Sequence, residues 1–149
     1  MLDWYDIVVR LVGAALIGGL IGLNRDLHQK PSGLRTLSLV GLGAALVVLV
    51  VDDSTTDANA TSRVLQGIIT GVGFLGAGVI IHEAATVKVR VLTTAAAIWV
   101  TACLGAACGL GAWRITLVAC AIVALVLIFG GKLEKAVHDR LAGDEDKAA

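Results

Sequence analysis

The stretch Ile7-Val8-Val9-Arg10-Leu11-Val12-Gly13-Ala14-Ala15-Leu16-Ile17-Gly18-Gly19-Leu20-Ile21-Gly22-Leu23 carries one charge, Arg10, and is otherwise apolar on every side. That is near the roughly 17–25 residues a helix needs to cross a bilayer core. An amphipathic helix of a soluble domain would alternate apolar and polar residues at helical spacing, and this stretch does not. Four more runs share the character: Leu37–Val51, Val64–Ile81, Leu92–Leu110 and Ile115–Gly131. None alternates as a membrane barrel strand must. The expectation is an all-α, polytopic membrane bundle of five transmembrane helices over residues 1–131, with a short polar cytoplasmic tail over 132–149. The first run lacks a basic leader and a small-residue cleavage site, so it reads as a retained span.

Composition agrees. Of 149 residues, 57% are apolar and only 16% are Asp, Glu, Lys or Arg, against about 45–50% and about 25% in soluble domains. Mean hydropathy is +0.87. So little charge cannot clothe a soluble globule, which excludes a soluble enzyme. The 12 basic and 12 acidic residues cancel, leaving no net field to draw nucleic acid. The basic residues are unevenly placed, however. If the loop Asn24–Arg35 is cytoplasmic, only Arg10, Arg63 and Arg114 of the 12 fall outside. The positive-inside rule then gives an N-out, C-in protein.

Small residues recur at four-residue spacing: Ala14, Gly18 and Gly22; Gly67 and Gly71; Ala102 and Ala106; Gly105 and Gly109. Such faces let helix backbones approach closely, within one chain or across a homodimer. The run Gly71-Val72-Gly73-Phe74-Leu75-Gly76-Ala77-Gly78 is denser still. At about 1 kcal/mol per glycine in helix propensity, it implies either close packing on several sides or a locally broken, hinge-like helix. A polar set lies at the rims: Arg25, Arg35, Glu83, Arg90, Thr93 and Thr94 toward the cytoplasm, Arg63 and Gln66 opening the third helix from outside, and Trp99 deeper in the fourth. These side chains suit headgroup anchoring, or a pocket for an anionic group or a partner's acidic loop.

Neither catalysis nor a cofactor is expected. His28, His82 and His138 stand apart from any Cys, Ser or acid in catalytic spacing, and no acidic residue lies inside a span. Mg²⁺ prefers carboxylate oxygens, so no metal site is assigned. Cys103, Cys108 and Cys120 lie in apolar runs without ligand spacing and read as small packing residues.

The motifs Gly18-Gly19-Leu20-Ile21-Gly22-Leu23-Asn24-Arg25, Gly33-Leu34-Arg35-Thr36, Arg63 with Gln66, Gly71 to Ile80, and Val89-Arg90-Val91-Leu92-Thr93-Thr94-Ala95-Ala96 with Trp99 resemble, in order and spacing, the MgtC/SapB family of bacterial inner-membrane proteins. The resemblance runs from about Leu11 to Gly111. It implies a five-helix domain in the inner membrane, a role in adaptation to low Mg²⁺ and, in pathogens, in survival within macrophages. It also implies regulation of membrane partners, among them the F-type ATP synthase, with the family's polar motif residues falling on Arg25, Arg35, Arg63, Gln66, Glu83, Arg90, Thr93 and Thr94. This sequence differs from the common pattern at Asn24, where an acid is usual, and at Val91, where Gly is usual. It is read without the soluble C-terminal domain of longer members. The expected function is therefore that of a non-enzymatic protein in contact with lipid and a membrane-protein partner. The alternative is a small ion transporter or channel for Mg²⁺ or an anion.

Overall fold

A computed structural model describes residues 2–55, 57–82 and 88–145, and their side chains except those of 79–82, 88–91 and 132–145. The described residues form five helices: α1 (Trp4–Leu27), α2 (Leu34–Ser54), α3 (Ala58–His82), α4 (Lys88–Gly109) and α5 (Trp113–Glu145). Each expected span lies within one of them, apart from Leu110 just past the end of α4. Among the described residues, α1, α2, α4 and α5 are long and apolar enough to cross a membrane. α3, 25 residues long, leaves the rim where α2 ends and reaches the rim where α4 begins. It therefore traverses the same height. α5 continues past Gly131 without a break, so the polar tail begins as an extension of the last span.

α1, α2 and α4 form the centre, with α3 laid against α4 and α2, and α5 resting mainly on α4. Their core is thin: Ala14, Ala45 and Cys108 in one cluster, and Ile21, Leu37, Ile98 and Leu104 in another. What brings the helices together is the absence of side chains. A Cβ on Gly41 would stand 2.7 Å from the carbonyl oxygen of Ala14, and one on Gly109 would stand 2.7 Å from that of Ala45. On Gly22 it would meet Leu34 Cα at 2.6 Å. At Gly18 and Gly105 it would run into the carbonyls of Leu37 and Gly41. Since lipid is as apolar as Leu, such van der Waals contact must supply the attraction that burial supplies in water.

The glycine-rich run of α3 behaves differently. The helix passes through it unbroken. Gly76 faces Ala95 of α4, but a Cβ on Gly67, Gly71, Gly73 or Gly78 would meet nothing within 4 Å. Within one chain Gly71, Gly73 and Gly78 show neither the close packing nor the break that the density of this run suggested, and Gly67 faces open space as they do.

The same substitution should therefore have opposite effects at two glycines. Gly105→Ala forces the α2 and α4 backbones apart and should destabilise the protein by about 1–3 kcal/mol. Gly73→Ala adds helix propensity without a clash and should be neutral or stabilising by up to about 1 kcal/mol. Thermal unfolding of the detergent-solubilised variants, followed by circular dichroism, checks both.

Candidate functional site: two arginine clasps and the faces of α3

Arg25 sits on the last turn of α1 with its side chain fully buried. Its Nε donates to the carbonyl of Pro31 at 3.0 Å and Nη1 to that of Thr93 at 3.5 Å, while Nη2 donates to the hydroxyl of Thr94. One guanidinium thus joins α1, the first loop and the opening turns of α4. Planar donors in a fixed fork suit this task, and a lysine could not divide itself three ways with the same geometry.

The loop it holds is tight. Gln29 and Ser32 lie in the left-handed region at φ 52° and 61°. The amide of Lys30 donates back to the carbonyl of Arg25 at 3.0 Å, closing the end of α1 as glycine-type caps do. The Asp26 carboxylate then accepts the amide of Leu34 at 2.9 Å. A negative group at the start of α2 meets the unsatisfied amides and the positive end of its dipole. Gly33 leaves room for that carboxylate, since a Cβ there would displace it.

A second arginine clasps the opposite rim. Arg10 pairs with Asp6 at 2.7 Å one turn away and with Asp52 of α2 at 2.9 Å, and donates to the carbonyl of Gly109 on α4 at 2.8 Å. Its guanidinium packs on Gly111, whose φ of +68° turns the chain from α4 into α5. Beside it, Asp53 accepts the amide of Leu2 at 2.6 Å.

The expected polar pocket is therefore divided. Arg25, Thr93 and Thr94 come together, but as an internal clasp. Arg35 is exposed at the start of α2, opening onto a groove between α2 and α3. Arg63 and Gln66 are exposed near the other end of α3. Among the described residues Arg63 meets the carboxylate of Asp57 at 3.8 Å, between two solvent-facing groups, a contact worth little. Trp99 is partly exposed on α4. Glu83 and the side chain of Arg90 lie outside the described residues, as does the side chain of Val91. Gly18 and Gly22 pack on α2. Asp26 and Gly41 went unremarked in the sequence, and Arg10 was noted only as an outer charge, although its spacing from Asp6 was a visible signal of the clasp.

α3 presents three distinct sides. Gly76 and Val72 face the bundle, and Gly67, Ile68, Gly71 and Leu75 line the groove toward α2. Arg63, Gln66, Thr70, Gly73 and Ala77, which share a face at helical spacing, are all exposed.

These features define a polytopic helical membrane protein whose polar residues clasp the rims of a glycine-packed bundle. The MgtC family model matches residues 11–136, and the chain belongs to that family. It is 46% identical over 127 residues to protein SrpB of Synechococcus elongatus, covering 78% of this chain and 70% of that one. It is 41% identical over 119 residues to protein MgtC of Salmonella typhimurium, covering 80% of this chain and 50% of that one. To protein MgtC of Brucella abortus it is 44% identical over 118 residues, covering 79% and 46%. The chain thus spans about half the length of these MgtC relatives. No solved structure matches.

Replacing Arg25 with Gln removes at least one of its hydrogen bonds and leaves buried acceptors unmatched. Arg25→Gln should lower stability by about 2–3 kcal/mol, and Thr94→Val by about 1 kcal/mol. Denaturant titration in detergent micelles measures both.

Proposed function

We propose that this chain is a non-enzymatic protein of the bacterial inner membrane that binds another membrane protein through the outward face of α3 and limits its activity. The observation that carries this reading is the exposure of Gln66 and Thr70 in line with Gly73 and Ala77. Hydrocarbon offers no hydrogen bonds. An exposed Gln amide and Thr hydroxyl beside two small residues are what a second helix needs for close approach and interhelical bonding. The excess of basic residues at the Arg25 and Arg35 rim supports a cytoplasmic placement of that rim. The resemblance to MgtC/SapB supplies the setting, adaptation to low Mg²⁺, and a partner class that includes the F-type ATP synthase.

Recovery of membrane partners by pull-down from native membranes tests the reading. Gln66→Ala and Gly73→Leu should each reduce recovery at least about fivefold, roughly the worth of one interhelical hydrogen bond or packing contact, without loss of helical content. Undiminished recovery with both variants would remove α3 as the binding face. Mg²⁺ flux in proteoliposomes above that of empty ones, abolished by Arg63→Ala, would replace this reading with transport.

A further inference from the structure

Along α2, Arg35, Leu39, Gly43 and Val47 follow one another at four-residue spacing and form one wall of a groove of about 620 Å³. The α3 wall is Gly67, Gly71 and Leu75, again at four-residue spacing. The groove is open along its length, and Gly43, Gly67 and Gly71 have nothing within 4 Å of where a Cβ would stand. Its volume falls within the roughly 300–1,000 Å³ of small-molecule sites. It is apolar throughout except at one end, where Arg35 and Thr36 stand at the mouth. Arg35 is exposed and makes no ion pair among the described residues.

Length and polarity point to the occupant. From Arg35 to Val47 the helix rises about 18 Å at 1.5 Å per residue, slightly more than half of the roughly 30 Å hydrocarbon core. The groove serves one leaflet only. Its polarity matches one class of molecule: a long apolar body, and a negative group held at the interface where the guanidinium lies. Basic sites between transmembrane helices bind anionic headgroups by this arrangement.

We propose that the α2–α3 groove is a site for a single anionic phospholipid, one acyl chain lying over Gly43, Gly67 and Gly71 and the headgroup phosphate on Arg35 and Thr36. It is separate from the outward face of α3 invoked above and does not rest on that reading.

The test uses the full chain, purified in detergent and exposed to phosphatidylglycerol or phosphatidylcholine of equal chain length, with retained lipid counted by native mass spectrometry. The expected result is one retained lipid and a preference for phosphatidylglycerol of about fivefold, the order expected for one basic residue near an anionic headgroup. Arg35→Gln should abolish the preference while leaving some lipid bound. Gly71→Leu, whose Cβ would meet nothing within 4 Å, puts an isobutyl group into the groove and should reduce retention of both lipids. Equal retention of the two lipids by the unaltered protein overturns the proposal, as does a preference that survives Arg35→Gln. A disulfide-linked dimer formed efficiently by Gly71→Cys in membranes would also overturn it, assigning the groove to a second copy. Gln66→Ala should leave lipid retention unchanged, so failure of the partner-binding reading is distinguishable from failure here.

Discussion

The carbonyl of Gly41 lies against Gly105, and the carbonyl of Ala14 lies against Gly41. At this height three helix backbones are stacked with almost no side chain between them, and the rest of the structure depends on that stacking. Bilayer lipid does not drive apolar faces together, so the contact has to come from close atomic packing. Only helices this near one another allow a single guanidinium to reach from α1 to α4. Arg25 does so at one rim, and Arg10 reaches both α2 and α4 at the other. The arginines are thus consequences of the glycines. Each holds an end of a triple contact that small residues make possible.

The architecture was largely legible in the sequence because a bilayer imposes blunt rules. Runs such as Ile7–Leu23 and Ile115–Gly131 have only one helical reading, and five of them became five helices. The spacing of Gly18 with Gly22 and of Gly105 with Gly109 marked faces that pack on α2. The candidate site was less legible, since composition and spacing say which face a residue occupies but not what stands opposite. Gly71 and Gly109 carry the same pattern, yet one faces open space and the other meets Ala45. Arg25 and Arg35 looked alike as rim charges. One is buried against carbonyls and the other is exposed beside a groove. Asp26 went unremarked because its partner, the Leu34 amide, is a backbone group with no signature of its own.

The sides of α3 divide the work of one helix. Its glycines do not draw it into the bundle, apart from Gly76. Those toward α2 hollow out a groove, and Gly73 lies among polar residues on the outside. The density of glycine that costs helix propensity is better understood as shaping the surface of this protein than as filling its interior.

The order in which the chain is made gives the stacking a further meaning. α1 and α2 are neighbours in sequence, joined by the tight turn that Asp26 closes and packed on each other through Gly18 and Gly22. The carbonyl of Gly41, however, awaits Gly105, which is synthesised only after the whole of α3. An α1–α2 hairpin by itself would leave that strip of backbone facing lipid, and would hold the Asp52 half of Arg10's clasp without its Gly109 half. α4 is thus the helix that completes both the backbone stack and the arginine clasp.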